Sequence, residues 1–274
     1  MISTKDLELS HSARIVELGR PDRRFLGGAT WSFVAFEFRR FQTRQSVLLG
    51  IVLPAVLYLA LAHVGDSNPS LPHGDFSTWM MIGIAVYGAA ASAVSGAAGI
   101  SVERASGWMR TVRLSPVHPV AYVVIKVVAS ILSAALPVGV VGAIAALTGA
   151  QAEPQVWATS LVAAWLGSGI FAALGLFLGL TFPPEIMMHI PGILMTALAF
   201  LGNLFLPLSG AMLQVAQWTP MYGVVTVARY ALTEGNTFSG EATPLLGAVI
   251  NLIIWFVIFV LAAARQFSRS TGRQ

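Results

Sequence analysis

The chain has no cysteine. That excludes a disulfide framework, thiolate metal sites, iron–sulfur clusters and cysteine nucleophiles. Charge is also scarce. Only 10% of the 274 residues are Asp, Glu, Lys or Arg, against about 25% in an ordinary soluble domain. A water-facing surface cannot be built from so few charges, and 56% of the residues are hydrophobic. Most of the chain therefore needs a bilayer as its solvent. Missing too are G-x-x-x-x-G-K-[ST], H-E-x-x-H and G-x-S-x-G, so neither a P-loop nucleotide site, a zincin helix nor a hydrolase elbow is encoded. No internal repeat stands out.

What is present are long apolar runs. A spanning helix takes about 20 mostly apolar residues. Six candidates follow: 46–63, 76–100, 121–147, 155–182, 185–206 and 244–265. Pro54 and Pro137 fall inside the first and third, as neighbouring helices permit in a membrane. A seventh apolar stretch, 211–232, is interrupted by Gln214, Gln217, Trp218, Thr219-Pro220, Gly223 and Arg229. It reads as one or two helices that enter the membrane surface and turn back. Its rival is a seventh span.

The charges decide orientation. Lys5, Arg14, Arg20, Arg23, Arg24, Arg39, Arg40 and Arg44 precede the first span. The link between spans two and three holds Arg104, Arg110 and Arg113, with Lys126 in the first turns of span three, and Arg265, Arg269 and Arg273 close the chain. With six spans, these all lie on one face, and Arg229 alone falls on the other. The opposite links, 64–75 and 148–154, carry only Asp66, Asp75 and Glu153. The positive-inside rule then places both termini in the cytoplasm of a multi-pass cell membrane protein. The net charge of +4 follows this topology and does not point to nucleic acid. Residues 1–45 are too long and too charged for a secretory signal, so span one is read as an anchor.

Three segments are not simple spans. In 31–44, Trp31, Val34, Ala35, Phe38 and Phe41 share one helical face, opposite Arg39, Arg40 and Arg44. That pattern suits a helix lying in the interface with its arginines toward anionic lipid head groups, serving as a plain anchor or as a lever toward a cytoplasmic partner. The link 101–116 carries Glu103, Arg104, Arg110 and Arg113 as a mixed-sign surface. Gly107 permits a turn, and Pro116 ends the helical run. It is either a basic loop that fixes topology or a rigid mechanical contact between two spans. The third segment, 211–232, holds Trp218, Tyr222 and Tyr230 as belt aromatics, and Arg229 that snorkels to the interface or pairs with Glu234 or an acidic residue of another outer loop.

The run Glu103-Arg104, Gly107, Arg110 to Arg113, Ser115-Pro116, with Lys126 downstream, resembles the first cytoplasmic loop of ABC-2 type permeases. These are the membrane subunits of ABC exporters, among them daunorubicin-type multidrug exporters and polysaccharide exporters. The family pattern is close to E-R-E-x-G-T-L-x-x-L, a Pro-containing turn, then a lysine in span three. Here Ala105 replaces the second acid, and Trp108-Met109 follow Gly107. The likeness extends along nearly the whole chain, and the segment with Pro220, Tyr222 and Arg229 looks like the family's outer re-entrant helices.

The resemblance implies an all-α fold: an amphipathic interfacial helix (31–44) in a cytoplasmic segment 1–45, a transmembrane domain over 46–265 with coupling segment 101–116 and re-entrant segment 211–232, and a cytoplasmic tail, 266–274. It implies a dimer of permease chains worked by separate ATPase subunits that hold ATP and Mg2+, with no cofactor in this chain. Glu103, Arg104, Gly107, Arg110, Arg113 and Pro116 would couple to the ATPase. Charge reversal at Glu103 or Arg110 is expected to lower transport-linked hydrolysis with the protein still in the membrane. Asn203 and Asn251 either bond between helices or line a path. Glu185 and His189 lie one turn apart, and read as a helix start rather than a metal site. Amphiphilic cargo (drug, lipid or hydrophobic peptide) suits spans whose centres lack ionisable groups. A lipid-linked polysaccharide is the rival inside the family, and a secondary carrier, channel or membrane scaffold the rivals outside it.

Overall fold

The computed structural model describes residues 51–61, 70–107, 119–237 and 240–271. The interfacial-helix residues Trp31, Phe38, Arg39, Arg40 and Phe41 lie outside these, as do Arg110, Arg113, Pro116 and the start of span one. The described elements are α1 (Leu53–Leu61), a two-stranded hairpin of β1 (Ser70–Leu71) and β2 (Gly74–Asp75), α2 (Phe76–Ala98), α3 (Ile100–Ala105), α4 (Pro119–Leu147), α5 (Pro154–Thr181), α6 (Pro184–Met187), α7 (Ile190–Leu201), α8 (Gly210–Ala216), α9 (Pro220–Thr233) and α10 (Leu245–Thr271). Among the described residues, five helical stretches are long and apolar enough to cross a membrane: Phe76–Ala105, Val123–Leu147, Pro154–Thr181, Pro184–Leu201 and Leu245–Arg269. The protein is an all-α polytopic membrane protein. The short hairpin is not announced by the apolar runs.

Helix α2 is the axis of the bundle, buried for nearly its whole length among α4, α5, α9 and α7. Its first turn is capped by Asp75, whose side chain accepts from the Thr78 backbone N–H at 2.8 Å, one of the four donors a helix start leaves open. Small residues then let helices approach. A Cβ on Gly175 would lie 2.3 Å from the Val94 carbonyl oxygen, and one on Gly179 would lie 2.6 Å from that of Ala98. The G-x-x-x-G step of α5 is thus used within the chain, backbone against backbone with α2. Gly88 does the same for two prolines, with Pro137 of α4 and Pro54 of α1 both facing it. Ser130, Ser133 and Thr196 return their hydroxyls to the carbonyl four residues back, which satisfies them without a partner helix.

Helix α10 contrasts with α2. Ile253, Ile254, Val257, Val260 and Leu261 point outward and are exposed, the face a helix turns to hydrocarbon. The stretch expected as span five differs from its sequence reading in two ways. It breaks at Met188–His189, because Pro191 has no N–H and its ring crowds the carbonyl four residues earlier. It also ends at Leu201, not 206: Asn203 takes a left-handed conformation, φ 61°, and the chain leaves the helix. The segment 211–232 forms two helices, α8 and α9, parted at Gln217–Thr219. Neither is long enough to cross alone, since α9 has 14 residues and rises only about 21 Å.

Candidate functional site: two polar clusters at opposite ends of the bundle

At one end, α3 continues α2 after Gly99 and is tied to two other helices. Glu103 and Lys126 of α4 form an ion pair, Nζ to Oε1 2.6 Å, with side chains only 3% and 2% exposed. Arg104 donates through Nη1 to the carbonyls of Gly179, at 3.1 Å, and Leu180. Those carbonyls belong to the last turn of α5, where a helix has unpaired acceptors and negative dipole charge. Two neighbouring residues thus fasten one short helix to the ends of α4 and α5. Gln266 of α10 reaches Thr181 at the same end, 3.3 Å.

This alters the reading of Glu103. It was expected on a charged surface; it is buried, because the Lys126 ammonium lies inside the bundle and needs a counter-charge. Charge reversal there would set two cations together in the interior and act first on stability. Arg104 keeps an exposed flank, and Gly107 has φ +74° with no atom of the described residues within 4 Å of an added Cβ. Gly107 therefore ends the helix in the left-handed conformation that suits glycine.

At the other end the centre is Arg229 of α9. It was expected at the interface, snorkelling or paired with Glu234. It is buried, 4% exposed, and donates to three backbone carbonyls: Nη1 to Asn203 at 2.6 Å, Nη2 to Leu204 at 2.7 Å, and Nε to Trp79 at 3.3 Å. The Trp79 ring lies under the guanidinium, 3.4 Å from Cζ to the ring centroid, a cation–π contact. The carbonyls of Asn203 and Leu204 are free to accept because α7 has stopped. A guanidinium, with five N–H groups in a fixed fork, can serve several of them together. Gly83 clears the space, since a Cβ there would lie 2.3 Å from Nη2.

The rest of this region is held by caps. Thr219 accepts from the Tyr222 N–H at 3.3 Å, and Pro220 fills the first helical position of α9, where its missing N–H is harmless. Tyr222 is buried, whereas Trp218 is 81% exposed and Tyr230 partly so. Asn251 and Trp255, one turn apart on α10, donate to the carbonyls of Gln217 at 2.7 Å and Trp218 at 3.0 Å. These are the acceptors left open by the break between α8 and α9. Asn251 therefore bonds between helices. Asn203 accepts from the Leu208 N–H at 2.8 Å through its side chain and holds the turn beyond α7. Of the methionines in the helices, Met80, Met81 and Met195 are buried packing groups and Met188 is exposed.

Sequence reasoning missed His73, whose ring nitrogens lie 3.0 Å from Glu153 Oε1 and 2.9 Å from Glu234 Oε1. An isolated histidine in a polar link carries no spacing signal. The partners are 80 and 161 residues away. Glu185 sits in the first turn of α6 behind Pro183-Pro184, and no group of metal-ligating side chains gathers among the described residues.

No curated protein matches the sequence significantly. The family model described as "ABC-2 type transporter" matches residues 29–235, which takes in the helices of both clusters except α10; the chain belongs to the ABC-2 type transporter family, and is a membrane permease component of that kind.

Proposed function

We propose that this chain is the permease subunit of an ATP-driven exporter. Two such chains, identical or related, surround one pathway for an amphiphilic drug, lipid or hydrophobic peptide. ATP and Mg2+ are held by separate ATPase subunits docked at the cytoplasmic face. The α3 end is that face, a reading supported by the basic residues around Arg104, Lys126 and Arg269 under the positive-inside rule. The hairpin end faces outward. The daunorubicin-type subgroup fits this cargo.

The observation that carries the proposal is the pair of ties from α3. Glu103 grips α4 and Arg104 grips α5, so a push on the turn at Gly107 moves three helix ends together. An effector shifts an equilibrium only through contacts that differ between its states. In this scheme the ATPase makes those contacts with 104–116, including Arg104, Arg110, Arg113 and Pro116, while Glu103 transmits from inside. The amphipathic helix 31–44 rides on the same motion with its arginines at the lipid surface. At the far end α8 and α9 dip into the outer leaflet and close the pathway, with Arg229 locking α9 to the end of α7.

Purification from native membranes in mild detergent tests the assignment. An ATPase should accompany the chain, and candidate amphiphiles should change its hydrolysis. An isolated chain that carries cargo unaided would remove it.

A further inference from the structure

We propose that His73 is a proton-dependent latch that holds the outer end of α9 to the hairpin and its neighbouring link. Both ring nitrogens face carboxylate oxygens, Nδ1 toward Glu153 at 3.0 Å and Nε2 toward Glu234 at 2.9 Å. A carboxylate only accepts, so both contacts require both nitrogens to carry hydrogen, which is the imidazolium form. The two carboxylates, Glu153 first, push the His73 pKa up from its ordinary value.

The two bonds differ in what backs them. The link is held to the hairpin by backbone bonds as well, Glu153 N–H to the His73 carbonyl at 3.1 Å and Asp75 N–H to that of Gln151 at 3.0 Å. Asp75 adds its own carboxylate, which accepts from the Gln151 N–H at 3.1 Å. Glu234 is the left-handed C-cap of α9, φ 51°, and reaches His73 through its side chain. When His73 loses a proton, one N–H remains. Backbone bonds keep Glu153 beside Nδ1, so the Nε2 lone pair is left against the Glu234 carboxylate. That contact turns repulsive, and the end of α9 is released.

Among the described residues, other charged groups nearby are occupied or lie elsewhere. Asp75 caps α2 and binds the link. Glu241 accepts from the Gly210 N–H at 2.9 Å. Tyr58 of α1 meets the link through Thr148, 3.4 Å. Asp66 precedes the hairpin, outside the described residues. Because the folded pKa is raised, the latch is fully closed below about pH 6.5 and opens as pH rises through the raised value. That this end faces outward, so that external acidity closes the pathway, rests on the proposed orientation. The latch itself does not.

The absence of cysteine allows spin labels at Gln155→Cys and Asn236→Cys in the full chain, with distances read by pulsed EPR at pH 5.5 and 8.5. One short distance is expected at low pH and an added longer population at high pH. His73→Ala should show the longer population at both. Glu234→Gln should keep the short distance at both, since its amide can donate to neutral Nε2. Distances in the unmutated chain that do not respond to pH, or a response that survives in His73→Ala, would overturn the latch. These readings require neither ATP nor cargo, so the latch and the exporter assignment fail separately.

Discussion

Lys126→Met removes the cation from the buried pair with Glu103 and leaves a carboxylate enclosed at the junction of α2–α3 and α4. Both side chains are nearly sealed, at 2% and 3% exposure. Breaking such a pair on one side costs about 3–5 kcal/mol, whereas replacing both partners with apolar groups of similar volume is often close to neutral. The thermal midpoint of the purified protein in detergent, followed by tryptophan fluorescence, should therefore fall by on the order of 10 °C in Lys126→Met. Glu103→Leu should fall comparably, because it leaves an ammonium enclosed. The double variant should recover most of the loss. Glu103→Lys should be worse than either single change. Were Lys126→Met as stable as the native chain, or the double variant no better than the poorer single one, the pair would not be the fastening described here. The double variant also separates stability from coupling: it should stay folded while ATPase stimulation is reduced, since apolar contact grips α4 less directionally than an ion pair.

Arg229→Lys keeps the charge but loses the fork, so the carbonyls of Asn203, Leu204 and Trp79 are not all served; at about 1–3 kcal/mol for each orphaned acceptor, the thermal midpoint should drop clearly, and a native midpoint would count against the lock. Gly83→Ala places a methyl 2.3 Å from Nη2 and should produce a loss that is not additive with Arg229→Lys in a double-mutant cycle. Gly175→Val wedges α5 from the α2 backbone and should cost about 1–3 kcal/mol or more, seen as a lower midpoint and poorer yield from the membrane. Asn251→Leu together with Trp255→Phe uncaps the α8–α9 break; hydrogen exchange should rise at 217–219 while the ends of α2 and α5 stay protected, and uniform exchange would refute the capping role.

Long apolar runs made the spans legible, because hydrocarbon tolerates little else over that length. Helices α2, α4, α5 and α10 follow the apolar runs to within a few residues, apart from the C-terminal end of α10, which runs on to Thr271. The break in span five was less visible. Apolarity does not report a backbone bond, and the signal was the bare fact of Pro191 two residues after His189. The break in 211–232 was readable from Thr219-Pro220 and the polar residues around it. Arg229 was singled out correctly as unusual but misplaced. Its partners are backbone carbonyls, which a sequence does not distinguish from any others. Glu103 was misread for a related reason: its counter-ion lies 23 residues on, and a motif that marks both residues does not say they face inward together. His73 joins three segments remote in sequence, so only the folded chain brings it into view.

The most direct test of a force applied at the cytoplasmic turn uses the cysteine-free background. Ala105→Cys, exposed at the end of α3, is treated with a membrane-impermeant maleimide in vesicles of each orientation, with and without the ATPase subunits. Labelling only in inside-out vesicles, suppressed when the ATPase is bound, is the predicted result. Labelling from the outer side, or labelling that the ATPase does not alter, would contradict it.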